Sequence, residues 1–458
     1  MCCISWGFCR KLFSTLFCTA LKALHIIQYC NRMTFIVTKQ PEKVTQILRA
    51  YPNIQLGEQE MITSIRLIDW KSFADATLYL DPLTVLIGTN ASGKSNVLDA
   101  LEFIRRIASG VSVDAALAGS EELPPLRGGR AGAIRHGAEK FTIKLQLSID
   151  DYDYEYSISV ATEESKVKLT AESLYDVNGK EYLMDIEKKK DLNIYIALGK
   201  SLLFGQDVTL GRPIYVLESV SDFLKHAKNI TQIADELSNL FPFKPMPERM
   251  RLPTTLSDSL SYNGSNVAGF LANHEDKEKI ESQLLNFVTE LPEGDITEVW
   301  AETIGRTEAK AELYCTESWG KTDKGRIVDA NSMSDGTLRF IAILVAVLTM
   351  ESGSLIAIEE LDNGLHPSRA ELLLKGLKEL GAKRGVDVLA VTHNPALLNT
   401  LGPKGIPFVS VVHRDQQGKS VITLLENIER LPKLLASGPL GELVTQGKIQ
   451  EALQDEGR

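Results

Sequence analysis

Gly88-Thr-Asn-Ala-Ser-Gly93-Lys94-Ser95 has the residue types and spacing of a phosphate-binding loop. Its glycines let successive backbone N–H groups turn toward an anion. An apolar run at 83–87 leads into it and an apolar-periodic stretch follows Ser95, so a helix N-terminus adds positive dipole there. Lys94 is expected to reach the β- and γ-phosphates of a nucleotide and Ser95 to hold Mg²⁺. Gly88, Thr89, Asn90, Ala91, Ser92, Gly93 and Asn96 complete the expected nucleotide-binding set. The stretch Ser354-Leu-Ile-Ala-Ile-Glu359-Glu360 delivers two adjacent carboxylates to the end of an apolar strand. Successive strand side chains point to opposite faces, so the two should take different tasks. Glu359 is expected to bind Mg²⁺ through water, and Glu360 to accept a proton from, or orient, an attacking water.

Two further groups are weaker on their own. Ser332-Met-Ser334-Asp335-Gly336-Thr opens an apolar helix, where Ser and Asp serve equally as plain N-caps. Val391-Thr-His393-Asn-Pro395 puts a histidine at a strand end, either as a polar cap or within reach of a terminal phosphate. His136, His366 and His413 have lesser claims, and no set of Cys and His has zinc-ligand spacing.

These groups need rigid elements beneath them. Residues 62–69 alternate as a strand, 76–80 form a second, and 83–87 a short buried third. The helix after the loop carries Val97, Leu98, Leu101, Ile104 and Ile107 on one side. Residues 111–138, rich in Gly, Ala and Pro, read as loop; 141–149 and 152–160 read as an antiparallel hairpin about Asp150 and Asp151. Residues 266–291 read as helices. Beyond Ser334, helix 336–350, strand 354–358, helix 367–380, strand 386–391 and a helix opened by Pro395 alternate. That alternation predicts an α/β sandwich.

Phosphate loop, Ser334 group, double acid and histidine occur in that order. In this order they resemble the ABC-type P-loop ATPases of the SMC, RecF and OLD group. The stretch from Ile65 through Phe73 to Leu83 and the loop looks like that group's opening. Ser261-Tyr-Asn-Gly-Ser-Asn-Val-Ala-Gly-Phe-Leu and Ile358-Glu-Glu-Leu-Asp-Asn-Gly-Leu-His-Pro are similar to its small RecF-like AAA members. The resemblance implies a P-loop NTPase of ABC-ATPase type, with a mixed central sheet, an antiparallel β subdomain and an α-rich insertion. It implies ATP and Mg²⁺ as cofactors, and a homodimer closed around ATP. Ser334, Asp335 and Gly336 would then be a signature acting in trans, and His393 a switch histidine. DNA and a separate nuclease or effector are the implied partners, in repair or anti-phage defence. Glu359 stands where transporters carry aspartate, His366 where many relatives carry aspartate, and no Q-loop glutamine is evident. The loop from Arg127 through Arg130 to Arg135 and His136 is the candidate for that role.

The expected organisation is a leader at 1–60 outside the working fold, ATPase segments at 61–160 and 261–427, an inserted lobe at 161–260 and a helical tail at 428–458. Five cysteines fall within residues 1–30 and only Cys315 beyond, which suits a reducing cytoplasm and not a disulfide scaffold. The ten-residue apolar run at 12–21 is too short to span a bilayer, so no membrane role is expected. A net charge of −10 gives no global attraction for nucleic acid, so any DNA contact needs a local patch. Arg127, Arg130 and Arg135 are the candidates. A transporter subunit or a protein-only switch is the alternative. A transporter subunit would not need the long stretch between Ser95 and Ser334, and no guanine-reading Asn-Lys-x-Asp is present. The short stretch after His393 lacks the paired acids of a metal-dependent nuclease domain, so nuclease activity is not expected of this chain.

Overall fold

The computed structural model describes residues 61–121, 123–149, 152–163, 166–185, 232–291, 296–306, 308–318, 325–392 and 394–456. The leader expected at 1–60, residues 186–231 of the expected insertion, and His393 lie outside the described residues.

The first sheet is antiparallel. Its strands are β1 (Met61–Ile68), β2 (Asp75–Tyr79), β4 (Lys140–Ile149), β5 (Tyr152–Glu163), β6 (Lys166–Asp176) and β7 (Glu181–Asp185), in the order β2-β1-β4-β5-β6-β7. The strict alternation at 141–149 and 152–160 becomes the tight β4–β5 hairpin, with Ile149 opposite Tyr152. Strand β5 continues past residue 160, so the expected domain boundary there falls inside a strand. The expected loop at 111–138 contains a helix, Val113–Ala118. Ser112 caps it, accepting the Ala115 N–H at 3.3 Å, a signal already present in the Ser-Val-Asp sequence.

The central sheet is mixed. Strands β3 (Leu83–Gly88), β8 (Phe241–Phe243), β13 (Leu355–Ile358), β14 (Asp387–Val391), β15 (Val409–Arg414) and β16 (Ser420–Leu424) run in the order β16-β15-β3-β14-β13-β8. All neighbours are parallel except β15 and β16. Strands β13 and β14 are buried at every residue, because both faces are covered there. Val85 and Ile87, Ile356 and Ile358, and Val388 and Ala390 pack into one core. Leu86, Leu355, Ala357, Leu389 and Val391 pack into the other.

Helix α1 (Lys94–Ala108) lies in the second core, with Val97, Leu98, Leu101, Ile104 and Ile107 buried beside the antiparallel sheet. Helices α2 (Asp335–Thr349) and α3 (Pro367–Arg384) lie in the first. Every residue of α2 from Gly336 to Leu348 is buried, which is why its sequence is apolar all round. A third sheet, β10 (Ile296–Ile304), β11 (Lys310–Glu317) and β12 (Arg326–Asp329), pairs with β9 (Thr254–Thr255) through β11. The C-terminal helices dock Leu431, Leu440, Leu443, Ile449 and Leu453 into the first core.

Candidate nucleotide site

The central sheet ends β3 at Gly88, from which the chain must double back into α1. Gly88 has φ +151°, and a Cβ there would lie 2.2 Å from the Val412 carbonyl oxygen, so only glycine fits. A Cβ on Gly93, at φ +123°, would lie 2.6 Å from Ser420 Oγ. Strands β15 and β16 and the β1–β2 turn also clamp the loop by hydrogen bonds. The Arg414 guanidinium donates to the Ala91 carbonyl at 2.9 and 3.2 Å. The Ser420 hydroxyl donates to the Ser92 carbonyl and lies 2.7 Å from Ser72 Oγ, which accepts the Asn96 amide at 2.7 Å. Lys94 Nζ donates to the carbonyls of Gly88 at 2.7 Å and Thr89 at 2.8 Å, and burial lowers its pKa. The loop from Asn90 to Asn96, with Glu359, Glu360, Val391 and Arg414, lines a cavity of about 350 Å³.

Glu359 and Glu360 follow directly on β13, and both line this one cavity. The strand alternation that should have sent them to opposite faces has already ended at Ile358, and Glu360 sits at φ +54°. Ser95 Oγ donates to Glu359 Oε1 at 2.9 Å, and Arg127 Nη1 donates to the same oxygen at 3.1 Å. Lys244 Nζ lies 3.1 Å from Glu359 Oε2. Burial pushes the Glu359 carboxyl up, but Arg127, Ser95 and Lys244 together outweigh it and hold the group below the usual carboxylate range. Glu360 Oε1 receives Lys244 at 3.3 Å and Oε2 receives the Asn363 amide at 3.1 Å. Arg127 also donates to Asp99 Oδ1 and to the Ser95 carbonyl, each at 2.9 Å, and Lys71 completes Asp99 at 2.6 Å.

This chemistry fits a magnesium nucleotide. The glycine cradle excludes a side chain, and the Ser92 hydroxyl is buried with no hydrogen-bond partner among the described residues. One hydroxyl and one ionised carboxylate 2.9 Å apart are the sparse donors Mg²⁺ accepts beside water and phosphate. Among the described residues no group of three or more His, Cys, Asp and Glu forms a metal cage.

Ser334, Asp335 and Gly336 lie apart, and none of them lines the cavity. Ser334 Oγ caps α2 by accepting the Thr337 N–H at 3.1 Å, and Asp335 pairs with Arg251. Arg251 also donates to the Asn331 and Met333 carbonyls at 2.7 and 2.9 Å, fixing the turn before Ser334. A Cβ on Gly336 would lie 2.9 Å from the Gly364 carbonyl oxygen. Beside His393, Thr392 donates to Asp362 and accepts the Asn394 N–H at 3.0 Å.

A family described as "AAA domain, putative AbiEii toxin, Type IV TA system" matches residues 83–208 and 216–399. The chain belongs to this family. Among solved structures it is similar to the SMC head domain of Thermotoga maritima, at 14% identity and TM-score 0.42, over 80% of this chain and 98% of that one. It is similar also to an Smc head bound to the C-winged helix domain of ScpA, at 13% identity and TM-score 0.46, over 81% of this chain and 99% of that one. No curated protein matches.

This AAA-domain protein is a P-loop ATPase that hydrolyses ATP. The arginines expected to meet DNA have partners within the chain. Arg127 meets Glu359 at 3.1 Å, Arg130 forks onto Asp114 at 2.5 and 2.6 Å, and Arg135 meets Asp69 at 2.7 Å. Lys244, Asp99 and Arg414 escaped the sequence reading, because no local motif marks them. Lys244 comes beside Glu359 only through the pairing of β8 with β13. No described helix is long and apolar enough to cross a membrane.

Proposed function

We propose that this ATPase closes as a homodimer around two ATP molecules, and that closure drives a partner effector in DNA repair or anti-phage defence. Each ATP would sit on the loop of one copy and be sealed by Ser334, Asp335 and Gly336 of the other. The supporting observation is the separation of the two halves. The loop, Glu359 and Glu360 share one cavity, while the α2 N-terminus, with its helix dipole, lies outside the cavity its own chain builds. Lys94 would bind the phosphates, and Ser95 and Glu359 would hold Mg²⁺, which would supply positive charge beside the phosphoryl oxygens. Glu360 orients the attacking water and accepts its proton. The family description's mention of a Type IV TA system fits a role exerted on a partner.

Glu360→Gln keeps the shape but removes the base, so ATP binding should persist, hydrolysis should stop, and closed dimer should accumulate. Ser334→Arg should block closure while leaving Lys94 and its ATP in place. Light scattering with and without ATP separates the two. A larger mass for Glu360→Gln only with ATP is expected, and identical masses under all four conditions would remove the shared site. A protein-only switch is the second reading, favoured by the carboxylate partners of Arg130 and Arg135. DNA that neither binds in a salt-sensitive way nor changes turnover would select it.

A further inference from the structure

Strand β8 contributes only Phe241–Phe243 to the edge of the central sheet, yet its register is consequential. It runs parallel to β13 with Phe243 opposite Ile358, and the Glu359 N–H donates to the Phe243 carbonyl at 3.0 Å. Two parallel strands that end level must place their next residues side by side. Those residues are Lys244 on one strand and Glu359, then Glu360, on the other. Lys244 is held in its turn by its own N–H, which donates to the Tyr262 carbonyl at 2.8 Å.

We propose that Lys244 is a positioning residue for hydrolysis, aiming the Glu360 carboxylate through an ammonium shared with Glu359. The inference rests on the assignment of Glu360 as the group that handles the attacking water. The ammonium lies 3.1 Å from Glu359 Oε2 and 3.3 Å from Glu360 Oε1. It takes the Glu359 oxygen that Ser95 leaves, so Oε1 stays with Ser95 and Arg127. On Glu360 it opposes Asn363, which holds Oε2 at 3.1 Å, and the carboxylate is thereby fixed at both oxygens. Adjacent carboxylates facing one cavity repel, and a cation between them offsets that repulsion. Glu360 also stands at φ +54°, an uncommon left-handed backbone setting for a residue other than glycine. A lysine whose role was only to neutralise surface acid would matter for stability and not for the catalytic step.

Lys244→Met keeps the aliphatic stem and removes the ammonium. We expect kcat to fall by about 10²-fold, the scale of one lost positioning contact. Affinity for a fluorescent ATP analogue with Mg²⁺, titrated without turnover, should stay within about threefold, because Lys94 and Ser95 are untouched. Lys244→Arg, which restores a cation of similar reach, should recover most of the rate. Loss of analogue affinity in proportion to kcat, or no rescue by arginine, would each overturn the proposal. Glu360→Gln alone keeps the two ideas distinguishable. If that single variant hydrolyses ATP normally, the assignment of Glu360 fails whatever Lys244 does.

Discussion

Lys94 carries the positive charge that the phosphate loop offers, and its setting makes the consequence of losing it two-sided. Its ammonium bonds the Gly88 and Thr89 carbonyls at 2.7 and 2.8 Å, so it supports the loop as well as facing the cavity. Removing a preorganised electrostatic contact to a phosphoryl group costs roughly 10²–10³ in rate. Lys94→Ala should therefore lower hydrolysis by about that factor and weaken ATP binding, while thermal unfolding shifts by only a few degrees. Unchanged turnover in a purified, folded variant would move the ATP site elsewhere. Arg127, a candidate from the sequence both for the Q-loop role and for a DNA contact, has a guanidinium that spans Asp99, Glu359 and the Ser95 carbonyl.

At the scale of elements, the antiparallel sheet contains a charge problem of its own. Glu172 on β6 is fully buried, accepts the Tyr156 hydroxyl at 2.7 Å, and leaves Oε2 without a hydrogen-bond partner among the described residues. Burial pushes its carboxyl up to about 7. Because the folded value lies above the unfolded one, this group's contribution is complete at pH below about 4.5 and is lost as pH rises through about 7. The loss is on the order of 3 kcal/mol. Glu172→Gln cannot ionise, so its stability should fall less between pH 5 and 8 than that of the unaltered protein. Asp387, pushed to about 7 by burial beside Asp81, adds a slope of the same sign to both proteins. The difference between their chemical denaturation curves is therefore the quantity to read. Equal slopes would place an ionised Glu172 in the folded sheet.

The whole molecule carries a net charge of −10, and the arginines that might have offset it locally have partners. Arg130 and Asp114 are each nearly half exposed, an arrangement worth only about 0–1 kcal/mol, while Arg135 and Asp69 are somewhat more buried. If DNA binds, Arg130→Ala and Arg135→Ala should leave the dependence of affinity on salt unchanged. A residue that meets a phosphate would instead reduce the slope by about one. Fluorescence anisotropy of a labelled duplex across a salt series measures this. A reduced slope in either variant would restore that loop as the DNA contact.

The sequence alone determined the parts that are written locally. The phosphate loop, the strand before it and the helix after it needed only glycine geometry and apolar period, and they stand where they were read. The alternation of 141–149 with 152–160 specified a hairpin, since a period of two buries one face. The order of the Ser334 group, the double acid and the strand at 387–391 carried the α/β half of the fold in the same way. Tertiary structure alone decided which distant side chains meet. Nothing local in Phe-Pro-Phe-Lys244 announces that a three-residue strand will lie parallel to β13 and set an ammonium between two carboxylates. Nor does local pattern say that Arg127 folds back onto Asp99 and Glu359, or that Arg414 and Ser420 brace the loop from across the sheet. Periodicity encodes which face of an element is buried, whereas strand order and register arise only when the elements compete for one another's faces, and the neighbours of Glu359 and Glu360 are products of that register.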